Sequence, residues 1–310
     1  MFKLPGKIPA LQDSSQEWAD YAEFRAIELK HISLYTLVKG PKLIRDEINV
    51  NGIEDDSDSF QRKSEDIVTE ISHRARLLGE LYPFQLQDRD YSIAYKGSGN
   101  FTYTVYLFLL MATRVNMTSH RVQGGVDGTK IFEALSAEVI TQFLGRSSEA
   151  HVLGTSKTDI GGFRKKLAEI SKKMREGGLI HENPHYRPQD DTVDVIAWKK
   201  FNDDLSSQLI GFAQCKTGTS WRHRLSELNA QAFCNRWFSV QPVLLPIRMF
   251  FCAQYFPREI WYELATSAGL IFDRFRIIEN LPVELSDELL KEIEIWTRSS
   301  LEKYVLQSSN

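Results

Sequence analysis

Cysteine is scarce in this sequence. Its 310 residues include three, Cys215, Cys234 and Cys252, which stand at apolar positions without paired spacing. Disulfide frameworks and zinc clusters need cysteines in pairs or groups. This usage therefore argues against both and favours a reducing, cytoplasmic compartment.

Long apolar runs and an excess of charge of one sign are also lacking. The longest apolar run, Val105 to Ala112, is far shorter than the ~20 residues of a membrane span. The N-terminal residues show no signal-peptide pattern. With 38 basic and 41 acidic residues, the net charge is −3. A protein that coats nucleic acid without selectivity is basic, so nucleic-acid binding here requires a local patch or a partner.

What is present is the composition of a globular protein, with 42% hydrophobic and 25% charged residues. In the first part, Ser14 or Ser15 opens a helical pattern that runs through Leu29 and is stopped by Gly40-Pro41, and a longer helix is predicted over 65–81. The apolar run 101–111 fits a buried helix, although a strand remains an alternative. Residues 1–125 are therefore predicted to form a mostly α-helical N-terminal domain, followed by a glycine-rich linker.

From Lys130 the pattern alternates between helices and strands. Helices are predicted over 131–144, 163–175, 222–238 and 287–305, and strands over 151–155, 193–198, 209–213, 247–255 and 270–278. Such alternation predicts an α/β domain over 130–310, with a mixed sheet flanked by helices on both faces.

Polar side chains are set into the two central strands of this domain. Asp194 belongs to the first, and Gln214 and Lys216 end the second. Residues two apart on a strand project to the same face, so Gln214 and Lys216 point together while Cys215 points into the packing. A carboxylate, an amide oxygen and an ammonium group then meet at one end of the sheet, where they could hold a divalent cation and a water molecule against a phosphodiester.

Three segments carry a resemblance to a known superfamily: IFEAL on the leading helix, QDDTVDVIAW on one core strand and FAQCK on the next. Together with the order of elements over 130–278, they resemble the PD-(D/E)XK nucleases in their restriction-endonuclease-like, Mrr-type branch, with Gln in place of the usual acid. The resemblance implies that Asp194, Gln214 and Glu133 bind metal, with Lys216 as the invariant lysine.

The glutamine is a departure from that family pattern. An amide is a weaker ligand for a hard cation than a carboxylate, so a glutamate of the leading helix must supply the missing charge. Glu133 and Glu138 lie on opposite edges of the apolar stripe, and periodicity does not choose between them. Asp191 is a further candidate for the site. The alternative is that Asp191 is a solvated acidic residue in a turn.

Basic residues near these strands are candidates for contacts with nucleic acid. Arg222 and Arg224 directly follow the second strand. Lys165 and Lys166 lie on the outer face of an amphipathic helix, where a solvated surface is the favoured alternative.

The resemblance implies a Mg²⁺- or Mn²⁺-dependent endonuclease that hydrolyses DNA, in the setting of bacterial antiphage defence. The acidic charge balance favours action with a partner protein or as a homodimer, and no membrane association is expected. Two alternatives stay open. One is a catalytically inactive nuclease fold that serves as an interaction module of a defence complex. The other is a nuclease for RNA or single strands, which needs aromatic side chains exposed near the site; the nearby candidates are Trp198 and Trp221.

Overall fold

The chain divides into two compact units. A computed structural model describes residues 7–46, 54–87, 91–97, 99–154, 159–182, 192–218 and 221–305. The first unit consists of Met1–Gly125 and Ile293–Asn310, and the second of Val126–Glu292. The whole of the last helix was predicted to belong to the second domain, whereas the division between the units falls inside that helix.

The first unit is mainly helical and carries a small sheet. Its elements are α1 (Ser15–Leu29), β1 (His31–Ser33), α2 (Leu34–Asp46), α3 (Glu54–Leu78), β2 (Phe84–Gln87), β3 (Ser92–Tyr95), α4 (Phe101–Arg114) and β4 (Val122–Gln123). Strands β1, β3 and β2 form an antiparallel sheet in that order. The predicted opening of the first helix is confirmed, because the Ser14 side chain caps α1 by accepting from the Glu17 N–H. Gly40 breaks α2 with a φ of +68°.

A buried ionic network links α1 and α3 within the first unit. The guanidinium of Arg74 is fully buried and donates from Nη1 to Asp20 and to Glu23, at 2.7 Å each. Its Nε donates to Glu70 at 2.8 Å. The Tyr82 hydroxyl donates to Glu23 at 2.6 Å. Each carboxylate thus has a donor, which is the condition for keeping charges away from water.

The second unit is an α/β structure built on one sheet. Its elements are β5 (Val126–Asp127), α5 (Gly128–Leu144), β6 (Ser148–Val152), α6 (Ile160–Met174), β7 (Val195–Lys199), β8 (Leu209–Lys216), α7 (Ala230–Trp237), β9 (Ile247–Cys252), α8 (Trp261–Ala268), β10 (Leu270–Phe272), α9 (Arg274–Glu279) and α10 (Asp287–Val305). The five-stranded sheet has the order β10-β9-β8-β7-β6. β7 is antiparallel to both neighbours, whereas β8, β9 and β10 run parallel. The predicted mixed sheet is confirmed.

In the first unit, the helix predicted to run to Gly40 ends at Leu29. In the second unit, two predicted elements differ most from those observed. The helix predicted over 222–238 is a 3-10 turn at Trp221–Arg224 followed by α7, which Asn229 caps. The strand predicted over 270–278 ends at Phe272, because the Asp273 side chain accepts from the Arg276 N–H and starts α9.

Helices cover both faces of the sheet, as strand alternation requires. Ile196 of β7 and Phe212 of β8 share a buried cluster with α6 and α7. On the other face, Phe143 of α5 packs edge-on against Phe272, which stacks on Phe251. Among the helices that the structure describes, none combines the length and apolar character needed to cross a bilayer.

Candidate active site

Asp194 lies at the end of the sheet, immediately before β7. Its N–H donates to the Ala213 carbonyl and its carbonyl accepts from the Leu153 N–H, both at 2.8 Å. Its half-buried carboxylate accepts from the Cys215 N–H at 2.8 Å. The carboxylate is therefore fixed against the backbone of β8, one residue from both Gln214 and Lys216.

Gln214 and Lys216 share one face of β8, and a third residue contacts both. Gln214 Nε2 donates to Glu227 Oε2 at 2.9 Å, and Lys216 Nζ lies 3.9 Å from the same oxygen. Gln214 is fully buried, whereas the Lys216 ammonium is partly exposed. Cys215 was predicted to point into the packing, but it is partly exposed.

The contact with Glu227 fixes the orientation of the Gln214 amide. A carboxylate accepts hydrogen bonds, so the amide must present its NH₂ group to Glu227 and turn its oxygen away. That oxygen, Oε1, is buried and has no hydrogen-bond partner among the described residues. Leaving a buried acceptor unsatisfied costs about 1–3 kcal/mol, and such an atom in a native protein calls for a water molecule or an ion.

Glu133 lies at the same end of the sheet as Asp194. A Cβ atom on Gly154 would come within 3.4 Å of Glu133 Oε2, and Gly154 follows Leu153, which donates its N–H to Asp194. Glu138 lies five residues further along α5, about 7.5 Å away along the axis and rotated by roughly 140°. Of the two helix glutamates, Glu133 is therefore the one near Asp194. Asp191 lies outside the described residues.

The donors brought together here suit a hard cation, although they are few. In the described part of the chain, no three His, Cys, Asp or Glu side chains are grouped so that they could hold a metal ion. The candidate set instead consists of two carboxylates, Asp194 and Glu133, and the amide oxygen of Gln214. Carboxylate and amide oxygens are the ligands that Mg²⁺ accepts, and the unsatisfied Gln214 Oε1 is consistent with such a ligand.

The residues predicted to contact nucleic acid differ in their contacts within the protein and in their exposure. Arg224 pairs with Glu227 Oε1 and is thereby tied to the site. The guanidinium of Arg222 is exposed and lies 5.3 Å from the Trp221 ring centroid. On α6, Lys165 is exposed and Lys166 is half-exposed. The structure thus brings Arg224 to the candidate site and leaves Lys165 on a solvated helix face.

His151 forms a second polar feature on the edge strand β6. Its ring stacks on Trp198 with centroids 5.3 Å apart, and its Nε2 lies 3.5 Å from Glu149. Burial lowers the pKa of His151 below its ordinary value. The nearby Lys173 and Lys166 act in the same direction, and Glu149 opposes them. The neutral imidazole is therefore favoured.

Glu227 is the site residue that the sequence analysis missed. It lies in the segment between the 3-10 turn and α7, where no periodic pattern marks it. Glu227 stands three residues after Arg224, a spacing at which opposite charges can pair, and this was the local pattern that could have pointed to it. Its contacts with Gln214 and Lys216 depend on how this segment folds back onto β8.

Comparison of the chain with protein-family models, with curated proteins and with solved structures found no match. The function of the chain is therefore inferred from the chemistry of the residues around Asp194.

Proposed function

We propose that the second unit is a divalent-metal-dependent phosphodiesterase domain that hydrolyses DNA. The observation that carries this proposal is the buried Gln214 Oε1. Because Glu227 accepts from Gln214 Nε2, the amide oxygen Oε1 points away from Glu227. Oε1 has no hydrogen-bond partner among the described residues. At the same end of β8 are the Asp194 carboxylate, which accepts from the Cys215 N–H, and the ammonium of Lys216, which lies 3.9 Å from Glu227 Oε2.

The fold of the second unit supports a restriction-endonuclease-like assignment. From α5 to β9 its elements follow the order helix, strand, inserted helix, two strands, helix and strand. This is the order on which the resemblance to PD-(D/E)XK nucleases rests. The segments that carry the resemblance contain Asp194, Gln214 and Lys216, which lie at one end of the central strands, where the sheet can hold them in register.

In this proposal, Asp194, Glu133 and Gln214 Oε1 hold Mg²⁺ or Mn²⁺. When bound, such an ion makes a coordinated water molecule more acidic and polarises a phosphoryl oxygen. Lys216 orients the attacking water and stabilises the negative charge that develops on the phosphoryl group. Glu227 keeps the Gln214 amide turned in the direction that binding requires.

The burial of two tryptophans favours duplex DNA over single strands as the substrate. Binding of single strands relies on exposed aromatic side chains on which bases stack. Trp198 and Trp221 are 0% and 3% exposed, so neither offers such a platform. Arg222, which is exposed and follows β8 closely, supplies positive charge for phosphate contacts. The resemblance further implies antiphage defence and a partner protein, and both are part of the proposal.

An inactive interaction module is the second candidate. It is favoured by the presence of an amide where the superfamily has an acid, which leaves the described candidate site with two carboxylates. Such a domain would keep the fold and bind a partner without binding metal.

Cleavage and metal binding by the purified full chain test the proposal. Plasmid DNA, single-stranded DNA and RNA are incubated with Mg²⁺ or with EDTA, and Mn²⁺ binding is followed by electron paramagnetic resonance. We expect Asp194→Asn and Lys216→Met to lower the cleavage rate by about a hundredfold or more. The exposed residues Asp287 and Lys291 provide matched controls as Asp287→Asn and Lys291→Met.

The outcomes separate the candidates. Equal cleavage by wild type and both site variants removes the catalytic assignment. Cleavage of RNA alone changes the substrate. A chain that neither binds Mn²⁺ nor cuts any of the three substrates is the inactive module.

A further inference from the structure

One end of the second unit exposes many large apolar side chains. Nine of them expose between 39% and 81% of their surface: Leu179, Phe201, Leu205, Leu209, Val240, Val243, Leu244, Leu245 and Ile247. We refer to these nine residues as the apolar end. Monomeric soluble proteins rarely expose a contiguous apolar patch larger than a few hundred Å², so a concentration of this size needs an explanation.

A single buried carboxylate holds two of the loops of the apolar end together. Glu176, which is 5% exposed, accepts through Oε1 from the Ser207 N–H at 2.6 Å and from the Gln208 N–H at 3.2 Å. Its Oε2 accepts from the Val243 N–H at 3.1 Å. The loop 201–208 and the loop 239–246 are therefore joined to the segment that follows α6.

Backbone hydrogen bonds tie the same segment to the second loop. The Leu179 N–H donates to Ser239 Oγ at 2.8 Å, and the Ser239 N–H donates to the Leu179 carbonyl at 2.9 Å. The Val240 N–H donates to the Gly177 carbonyl at 3.1 Å. The apolar side chains thus project from loops that are fixed to one another. Binding a partner therefore costs little conformational entropy of these loops.

The apolar end lies far from the candidate active site. Leu209 and Ile247 are the first residues of β8 and β9, whereas Lys216 is the last residue of β8. Eight strand residues span roughly 23 Å. A partner bound at the apolar end therefore leaves the surroundings of Lys216 open.

We propose that the apolar end is the interface through which two copies of this chain form a homodimer. Fully burying an aliphatic side chain removes about 100 Å² of apolar surface, so nine side chains that are about half exposed present roughly 500–600 Å². Each partner of a stable protein interface buries about 800 Å², of which somewhat more than half is apolar, so this area can supply the apolar part of such an interface.

The charge pattern favours a second copy as the occupant. The nine consecutive residues from Ser239 to Ile247 contain no charged side chain, so two copies of this stretch that face each other across a twofold axis meet no like charge. Beside this stretch, Arg175 and Asp204 form an ion pair that carries both signs. An anionic membrane would instead be bound by lysines and arginines, which this stretch lacks.

Sedimentation velocity of the full chain at micromolar concentrations tests the interface. The variants Leu244→Glu and Val243→Glu each place a carboxylate on an exposed position of the apolar end. Tyr262→Glu is the matched control: Tyr262 is 86% exposed and lies in the first turn of α8, which follows the opposite end of β9. Circular dichroism checks that all variants are folded.

We expect wild type and Tyr262→Glu to sediment as dimers and the two apolar-end variants to dissociate at least tenfold more readily. A wild-type chain that sediments as a monomer overturns the homodimer. A dimer that persists in both Leu244→Glu and Val243→Glu also overturns it. The measurement does not involve cleavage, so its result is independent of the proposed enzymatic function.

Discussion

At Gln214, a neighbouring carboxylate determines which atom of the amide faces the candidate site. The two ends of an amide differ little in shape, so packing alone would allow either orientation. Glu227 accepts from Nε2 and thereby excludes the flipped form. Lys216 and Arg224 in turn hold Glu227 in position from two sides. Glu227 is therefore a positioning residue in the proposed site.

Replacing Glu227 with glutamine tests this role. A glutamine both donates and accepts, so the Gln214 amide is no longer held in one orientation. Within the proposed function, we expect Glu227→Gln to weaken Mn²⁺ binding by about tenfold or more, since 1.4 kcal/mol corresponds to a factor of ten. Electron paramagnetic resonance of Mn²⁺ measures the affinity. Glu263→Gln makes the same change at an exposed position of α8, and an equal affinity for all three proteins would contradict the prediction.

His151 is expected to titrate below its ordinary pKa of 6.5, because burial against Trp198 disfavours the charged ring. A lowered folded pKa means that the unfolded chain takes up the proton first as the pH falls. The stability that comes from keeping the imidazole neutral is then present above pH 6.5 and lost as the pH falls toward the folded pKa.

An NMR titration of the His151 ring protons measures this pKa directly. His151→Phe keeps an aromatic ring on Trp198 without the titrating group, so its stability should depend less on pH below neutrality. A measured pKa at or above 6.5 would show that Glu149 outweighs burial.

The residues of the candidate site differed in how far the sequence could predict them. Alternation along β8 placed Gln214 and Lys216 on one face, because the period of a strand is fixed by its backbone. The choice between Glu133 and Glu138 required the position of α5 on the sheet, which no local pattern contains. Glu227 required a contact between residues 13 apart, made through a segment without periodicity.

At the scale of elements, the helices and strands of the second unit followed their apolar patterns closely. On α6, which was predicted to be amphipathic, Leu167, Ile170 and Met174 are buried. The differences arise at capping residues. Asn229 and Asp273 each start a helix by accepting a backbone N–H, whereas the apolar runs around them fit a longer helix or strand. Periodicity predicts which face of an element is buried, but a cap decides where the element ends.

The link between α1 and α3 depends on Arg74. Removing its guanidinium would leave the carboxylates of Asp20, Glu23 and Glu70 close together without their shared partner. We therefore expect Arg74→Met to lower the free energy of unfolding by about 3–5 kcal/mol. Thermal unfolding followed by circular dichroism provides the measurement.

Two further variants separate charge from geometry at Arg74. Arg74→Lys restores the charge but cannot donate in three directions as Nε, Nη1 and Nη2 do, so it should recover only part of the loss. Tyr82→Phe removes a single hydrogen bond to Glu23 and should cost about 1 kcal/mol. Equal stability of wild type and Arg74→Met would show that the network contributes little.

At the scale of the whole molecule, the two ends of the chain belong to one unit. Trp296 of α10 is fully buried, packs edge-on against Phe108 at 5.1 Å and donates its Nε1–H to the Arg121 carbonyl at 2.7 Å. The sequence predicted the helix α10. It could not predict which of the two cores the apolar side chains of α10 enter, because an apolar stripe carries no information about its partner.

Trp296→Ala should therefore destabilise the first unit. Loss of a buried tryptophan costs about 3–5 kcal/mol, and we expect faster amide hydrogen exchange in α4, measured by mass spectrometry. Trp198→Ala provides the reciprocal control, because Trp198 lies in the buried cluster of the second unit and its loss should increase exchange in β7. If Trp296→Ala left amide exchange in α4 unchanged, the assignment of Trp296 to the first unit would be contradicted.

The return of Ile293–Asn310 to the first unit has a consequence for biosynthesis. The ribosome releases residues 1–125 early, yet the helix that covers Phe108 emerges only after the residues of the second unit. The unit whose synthesis begins first is thus the last to receive all of its residues. Products of interrupted translation lack Trp296 and expose the apolar surface it covers, and chaperones and proteases act on chains in that condition.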